Sequence, residues 1–225
     1  NGEAIPSGNV LKKNILIELL GFKENSDEYN DLFTYSLADI CSFAGEQVSE
    51  LKVQDFIVSQ FIDCTPQDFH KIIATFSFWR KIYTINIDDV IENSVPNGYL
   101  IVQNTERPFS YTRAKQKEYI KLHGCVRNRS GNVVFSNQQY VDSMLHSTDY
   151  RFNSFAQDMQ IENFVVVGTE MNEINLDYYL RLFSSVSSKT SHGQLFFINP
   201  RPSLIFKSKV SKIGAHILEW TTEKF

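Results

Sequence analysis

Two short segments of the sequence combine the pattern of a buried strand with polar side chains that could hold a ligand. Residues 81–92 begin with the alternating and β-branched residues typical of a buried strand and then turn polar at Asn86 and Asp88. A single apolar residue separates these two, so both side chains can project the same way from an extended turn. They would offer one amide and one carboxylate to a polar ligand.

The second segment, residues 119–124, is a short apolar strand that ends abruptly at His123 and Gly124. Open α/β sheets bind ligands beyond the carboxyl ends of their strands, so the two segments together predict a binding site at such an edge. A structural interpretation stays open for the first segment. Asp88 or Asp89 could equally cap the helix that follows, as the side-chain acceptor of an Asx turn.

The rest of the chain predicts the elements that would position these residues. Buried-strand patterns recur at residues 164–167, 195–200 and 216–220, with helical patterns between strands. This alternation predicts an α/β fold, with a mainly parallel, Rossmann-like sheet and flanking helices. Apolar residues at helical spacing also predict a helical layer or insertion over residues 22–64, with a polar loop at residues 25–30.

Thr65 and Pro66 predict the start of the next helix, as its N-cap and its first helical residue. His70 lies off the apolar face of that helix, so we expect it to be structural or solvent-facing.

Composition limits the class of protein. A length of 225 residues allows one large α/β domain or a domain with an inserted subdomain, and a hydrophobic content of 42% indicates a globular protein. The formal charge of −4 does not favour binding to the negatively charged backbone of a nucleic acid, so we do not expect nucleic acid to bind this domain. The sequence contains neither an apolar run long enough to cross a bilayer nor a visible signal peptide, which predicts a cytoplasmic protein without a membrane partner. Residues 1–9 read as the interior of a glycine-containing loop, so we expect a piece of a longer polypeptide.

Three widely spaced cysteines, Cys41, Cys64 and Cys125, indicate reduced thiols. They cannot supply the two Cys-x-x-Cys pairs of a structural zinc site. We therefore predict no zinc ribbon and no bound metal.

The two segments with polar strand ends resemble the sirtuin family and its wider relatives, the sirtuin-like NAD hydrolases. Sirtuins carry a Thr-Gln-Asn-Ile-Asp motif and, some tens of residues later, a Leu-His-Gly motif. Residues 84–88 read Thr-Ile-Asn-Ile-Asp, and residues 122–124 read Leu-His-Gly. Further matches follow in the family's order along most of the chain: the Pro-x-x-x-His helix start at Pro66 and His70, the first glycine loop at Gly2, Ile5, Pro6 and Ser7, the Gly-Thr loop at Gly168 and Thr169, and the Ile-Asn strand end at Ile198 and Asn199.

The resemblance implies that the ligand is NAD and that the bond to be broken joins nicotinamide to its ribose. It implies that His123 contacts the ribose hydroxyls and acts as general base, a role suited to a group that titrates near neutral pH. Asn86 would orient the ribose or the attacking water, and Asp88 would bind the nicotinamide carboxamide. The other implied cofactor-binding residues are Gly2, Ser7, Thr84, Gly168, Thr169 and Asn199.

Three positions depart from the family's motifs. Ile85 replaces a glutamine, Ala4 replaces the serine of the first glycine loop, and Glu170 replaces the serine of the second. A carboxylate beside a pyrophosphate is unfavourable unless it points away or meets a ribose hydroxyl. The adenosine side therefore departs further from the family than Asn86 and His123 do.

The implied function is hydrolysis of NAD to nicotinamide and ADP-ribose, as in sirtuin-like effector domains of bacterial anti-phage defence. Two other functions stay open: a non-catalytic module that binds NAD or ADP-ribose, and an NAD-dependent protein deacylase, which the missing zinc ribbon disfavours. Unregulated NAD hydrolysis would be toxic. We therefore expect control through a homo-oligomer, or through a regulatory partner or domain.

The cysteine spacing leads to a first testable prediction. Purified protein should contain no stoichiometric zinc, and a chelator should leave its melting temperature unchanged, because three dispersed thiols cannot close a tetrahedral site. Elemental analysis beside melting curves with and without chelator checks this. A stoichiometric amount of zinc in the isolated protein would contradict it.

Overall fold

The structure is a computed structural model, and it describes most of the chain. The described residues are 5–94, 99–102, 117–128, 133–145, 149–169 and 193–221, together with Met171, Tyr178 and Leu180. The chain divides into two compact units, Asn1–His146 and Ser147–Phe225. Each unit holds a three-stranded sheet.

Helices dominate the beginning of the first unit. They are α1 (Gly8–Asn14), α2 (Asp27–Phe33), α3 (Leu37–Gln47), α4 (Glu50–Phe61), α5 (Asp68–Thr75), α6 (Val90–Ser94) and α7 (Asn137–Leu145). α1 continues as a π-helical segment, Ile15–Leu19. A serine side chain accepts a backbone N–H at the start of each of the first four helices, which satisfies an amide that has no partner within the helix.

The helices α1–α4 share one apolar core. Its buried members include Leu11 and Ile15 from the first helical segment and Ile57 from α4, and Ile87 and Val133 from outside the helices pack into the same cluster. Ile87 lies between Asn86 and Asp88, so the helical layer holds the centre of the Asn-Ile-Asp segment by burying its apolar side chain. Residues 22–64, which the sequence assigns to a helical layer, contain α2, α3 and α4.

The sheet of the first unit consists of β1 (Lys81–Thr84), β2 (Tyr99–Val102) and β3 (Lys117–Lys121). β3 is the central strand, and both neighbours pair with it in parallel. The register sets Thr84 opposite Lys121, so β1 and β3 end together. β2 was not predicted from the sequence.

The second unit contains α8 (Tyr150–Ile161), β4 (Phe164–Val167), β5 (Leu195–Ile198), α9 (Leu204–Lys212) and β6 (His216–Leu218). Its strands are parallel in the order β4-β5-β6, and Val167 lies opposite Ile198. Gly193 lies against the end of α8, where a Cβ would come within 1.6 Å of the Glu162 carbonyl oxygen. Only glycine fits this approach without a backbone shift.

The predicted α/β class is confirmed, because the strand pairings of the described residues are parallel and helices flank the sheets. The strands lie in two sheets, one in each unit. Among the described helices, none is both long enough and apolar enough to cross a membrane.

Candidate functional site

The carboxyl edge of the first unit's sheet brings two of the predicted segments together. Beyond the last strand residues, the Leu122 N–H donates to the Thr84 carbonyl at 2.8 Å, and the Val126 N–H donates to the Ile87 carbonyl at 3.0 Å. The loop at residues 85–89 and the turn at residues 122–126 therefore lie side by side. Asn86 belongs to the first and His123 to the second.

Asn86 is the exposed residue in this loop, whereas Ile87 and Asp88 after it are buried. Its backbone N–H donates to the Thr84 hydroxyl at 3.0 Å, which fixes the turn directly after β1. The buried neighbour and the fixed turn hold the backbone, while the Asn86 side chain stays accessible to a ligand.

Asp88 is only 5% exposed, and its Oδ1 accepts the Val90 N–H at 3.1 Å. This contact is the Asx turn into α6 that the structural interpretation predicted. Burial raises the pKa of the Asp88 carboxyl; the Val90 N–H and the charge of Lys121 oppose that shift, and the charge of Glu92 adds to it. Asp88 is therefore a carboxyl whose charge is poorly solvated.

His123 is 3% exposed, and its ring meets the ring of Tyr140 edge-on, with centroids 5.2 Å apart. Its carbonyl accepts the Val134 N–H at 3.0 Å. Gly124 follows at a φ of +87°, a left-handed conformation that favours glycine. The chain therefore turns sharply after His123 while the imidazole is held against α7 by Tyr140.

A buried ion pair beneath the Asn86 loop is the feature that sequence reasoning missed. Lys121 and Glu92 have side chains that are 0% and 5% exposed, and Lys121 Nζ lies 2.8 Å from Glu92 Oε1. The same ammonium donates to the carbonyls of Ile87, at 3.2 Å, and Asp88. The available signal was a lysine placed inside an apolar strand, in the run Tyr-Ile-Lys-Leu at residues 119–122.

Asp89 also holds this loop in place through hydrogen bonds. Its carboxylate accepts the backbone N–H groups of Asp63 and Cys64 at 3.3 and 3.2 Å, and Arg127 Nε at 3.0 Å. Asp89 is fully buried, so these donors compensate its lost hydration. The loop is thereby attached to the end of α4 and to the segment that follows His123.

His70 was predicted to be structural or solvent-facing, and its contacts support a structural role at the start of α5. Its Nδ1 accepts the Gln67 N–H at 2.9 Å, and α5 begins at Asp68, two residues later than a Thr65 cap with Pro66 in the first turn would place it. Burial lowers the pKa of His70, and the charge of Asp88 acts in the opposite direction. The ring therefore lies within electrostatic reach of the Asn86 loop.

The second unit has a corresponding strand edge. Gly168 follows β4 at a φ of +77°, and the Thr169 hydroxyl accepts the Met171 N–H at 2.9 Å. Asn199 follows β5, is 8% exposed, and its Oδ1 accepts the Arg201 N–H at 3.0 Å. The parallel register of β4 and β5 puts these residues at one edge of that sheet.

The remaining predicted cofactor-binding residues lie near the start of the chain. Ser7 belongs to the first unit and is exposed, and its hydroxyl accepts the Val10 N–H at 3.4 Å as the cap of α1. Gly2 lies outside the described residues, as do Ala4 and Glu170.

The first unit also has a partly open pocket of about 200 Å³ between α3, α4 and residues 133–139. Its walls include Cys41, Glu50 and Phe135, and they include none of the predicted site residues. Burial raises the pKa of the Cys41 thiol to about 12, so this thiol stays protonated at neutral pH. Within the described residues, no group of three or more His, Cys, Asp and Glu side chains could hold a metal ion.

Comparison with known proteins gives one family. The model of the SIR2-like domain family matches residues 80–218, which is more than half of the chain. That range includes the Asn86 loop, the His123 turn and the strand edge of the second unit, whereas Ser7 precedes it. The comparison with curated proteins gives no match.

The raised pKa of Asp88 generates a stability prediction for Asp88→Asn. The folded-state pKa lies above the ordinary value of 3.8, so the carboxyl ionises more easily in the unfolded chain. As pH rises from that value through the raised pKa, the wild-type protein should lose stability relative to the variant, whose Oδ1 can still accept the Val90 N–H. Melting temperatures of both proteins between about pH 3 and pH 8 check this.

The expected difference is small at the acid end and grows by a few degrees in favour of the variant towards neutral pH. The exposed carboxylate of Asp142 provides a matched control, because Asp142→Asn should show no such trend. A stabilisation by Asp88→Asn that is largest at acid pH would contradict the account.

Proposed function

Because this chain belongs to the SIR2-like domain family, we propose that it hydrolyses NAD to nicotinamide and ADP-ribose. SIR2-like domains are associated with NAD-dependent enzymes, so an NAD-related function follows from the family itself. The proposal concerns the reaction, which is the transfer of the ADP-ribosyl group to water. NAD is a substrate here, and the proposal requires no metal.

The observation that carries the proposal is the juxtaposition of Asn86 and His123 at one strand edge. Parallel pairing of β1 with β3 ends both strands together, and two backbone hydrogen bonds join the segments beyond them. One segment presents an exposed amide and the other a buried imidazole. An amide can orient the ribose or the attacking water, and an imidazole can accept a proton, so the two groups suit hydrolysis of the nicotinamide–ribose bond.

In the proposed reaction the bond between the nicotinamide nitrogen and the ribose C1′ breaks, and nicotinamide leaves with the bonding electrons. Positive charge develops on the ribose, and water adds to C1′. His123 accepts the proton that the water or a ribose hydroxyl loses. Asn86 orients the ribose or the water, and Asp88 binds the carboxamide of nicotinamide.

We assign the rest of the cofactor to the remaining residues that the family motifs indicate. These residues would line the pyrophosphate and adenosine end of NAD. At the strand edge of the second unit, Gly168 has a positive φ and Asn199 is buried, so the backbone there has a defined conformation to offer a ligand. The assigned residues are Gly2, Ser7, Thr84, Gly168, Thr169 and Asn199.

We place this activity in a regulated, NAD-depleting effector of anti-phage defence that acts in the cytoplasm. Unregulated hydrolysis of NAD would harm the cell that makes the enzyme. We therefore propose that a homo-oligomer, a partner or a further domain controls it.

The proposed reaction predicts that the full-length, activated protein releases nicotinamide from NAD without any peptide. Water is the acceptor, so an acylated peptide should neither be required nor change the rate. Chromatography of the products, with and without an acetyl-lysine peptide, measures this. Nicotinamide that appears only when the peptide is present would favour a deacylase instead.

Substitutions at the strand edge should separate turnover from binding. His123→Ala should lower kcat by about 10²–10⁴-fold, because a positioned base is lost. Asn86→Ala should lower it by about 10²-fold, because a displaced ribose or water reacts slowly. NAD should still bind both variants, since the pyrophosphate and adenosine contacts remain. A nicotinamide-release assay beside calorimetric titration with NAD measures both quantities.

Matched controls are available at exposed positions of the same residue types. His216→Ala, on β6, and Asn30→Ala, on α2, should keep near wild-type turnover. If His123→Ala also retained near wild-type turnover, the site assignment would be wrong even with the fold correct. If it folded but lost NAD binding altogether, His123 would serve binding and not catalysis.

A further inference from the structure

Lys121 is the last residue of β3, and its ammonium is buried beneath the segment that carries Asn86. The side chain is 0% exposed, and its described partners are the Ile87 and Asp88 carbonyls and the Glu92 carboxylate. All three acceptors lie on the stretch that follows β1. The ammonium therefore ties the loop of Asn86 to the strand that leads into His123.

Stability alone does not explain a buried pair of this kind. Removing an ammonium and a carboxylate from water carries a desolvation penalty that their attraction often fails to offset, and apolar pairs of similar size are often equally stable. Glu92 Oε2 has no hydrogen-bond partner within the described residues, so the pair is incompletely compensated. An apolar pair could replace the packing, but it could not donate hydrogen bonds to two consecutive carbonyls.

The two carbonyls that Lys121 binds belong to the residues immediately after Asn86. Their direction sets the course of the backbone at the loop, and hence where the Asn86 amide faces. Glu92 holds the ammonium in place from α6, and Cys125 Sγ lies 3.5 Å from the same carboxylate oxygen. The arrangement is a clamp, in which one buried ammonium holds two consecutive carbonyls of a polar loop.

We propose that Lys121 is a positioning residue for cleavage of the nicotinamide–ribose bond, with Glu92 as the residue that holds its ammonium in place. The inference rests on the proposed function, and it assigns to the pair a role in directing Asn86. The ammonium is buried, so Lys121 acts through the Ile87 and Asp88 carbonyls. Loss of the clamp lowers kcat and leaves KM for NAD within a few-fold of wild type, because the pyrophosphate and adenosine contacts are unaffected.

The decisive variant replaces the whole pair, as Lys121→Met with Glu92→Leu. Loss of Lys121 alone leaves a buried, uncompensated carboxylate, so Lys121→Met lowers the melting temperature for reasons unrelated to positioning. The double variant removes both charges and restores the melting temperature to near wild type. Its kcat nevertheless stays about 10²-fold below wild type, because the Asp88 carbonyl has lost the ammonium and the Ile87 carbonyl keeps only the Val126 N–H of its described donors.

Two controls use neighbours on the same sheet. Lys117→Met removes another lysine of β3, which donates to the Phe76 carbonyl at 2.7 Å through a solvent-exposed hydrogen bond. Lys81→Met with Glu118→Leu removes an ion pair of 3.5 Å whose side chains are 32% and 22% exposed. Both controls keep wild-type kcat. A double variant of Lys121 and Glu92 that melts like wild type and also turns over like wild type overturns the inference.

Hydrogen exchange separates failure of this inference from failure of the proposed function. Mass spectrometry of peptides that cover residues 85–92 measures how firmly the loop is held, whether or not NAD is cleaved. Faster exchange in the double variant than in the Lys117→Met control supports the clamp even if the wild-type protein released no nicotinamide. Equal exchange in the two overturns it, even if NAD hydrolysis by the wild type is confirmed.

Discussion

The first unit depends on a lysine charge buried where β3 ends. Lys121 is fully buried, and its ammonium contacts two backbone carbonyls and one carboxylate, with the Tyr119 ring centroid 5.6 Å away. Burial of an unpaired ammonium would cost several kcal/mol, so these acceptors must stay where they are for the fold to persist. Through them, the position of the loop after β1 is coupled to the position of the turn after β3.

An apolar contact and a second set of hydrogen bonds also hold the loop after β1 in place. The apolar side chain of Ile87 enters the core of the helical layer, and the carboxylate of Asp89 binds two backbone amides and Arg127. Asn86 is thus an exposed side chain on a loop held by burial, by hydrogen bonds and by charge. Such a loop loses little conformational freedom when a ligand binds, which suits the proposed role of Asn86 in orienting the ribose or the water.

His123 and Asp88 are also held in place by their surroundings. Gly124 permits the sharp turn, and Tyr140 holds the imidazole edge-on. Asp88 combines the two interpretations that the sequence left open, because its Oδ1 caps α6 while burial leaves its charge poorly solvated. A carboxylate that caps a helix through one oxygen can still bind a ligand, so the cap is compatible with the proposed carboxamide contact.

The features that could be predicted from the sequence are those set by neighbouring residues in the chain. Strands β1, β4 and β5 follow from apolar and β-branched runs, and the polar residues at their ends follow from the abrupt change of pattern. The short strand β2 was missed, and the region from Asn25 to Asn30, which reads as a loop, contains the start of α2 because Ser26 caps it. Local pattern also misplaced the start of α5, because the His70 side chain acts as an acceptor for the Gln67 amide.

The Lys121–Glu92 pair lay beyond sequence reasoning for a different reason. Neither residue type is usually buried, and only the tertiary arrangement shows that a lysine on one strand meets a glutamate on a helix after another strand. The motif residues of the candidate site were predictable, whereas the interactions that hold them were not.

The most direct test of the account is the structure of the His123→Ala variant with uncleaved NAD bound. The account predicts that the ribose next to nicotinamide lies at the carboxyl edge of β1 and β3, within hydrogen-bonding distance of the Asn86 side chain. NAD bound with that ribose away from Asn86, or with its adenine end at this edge, would contradict the central claim.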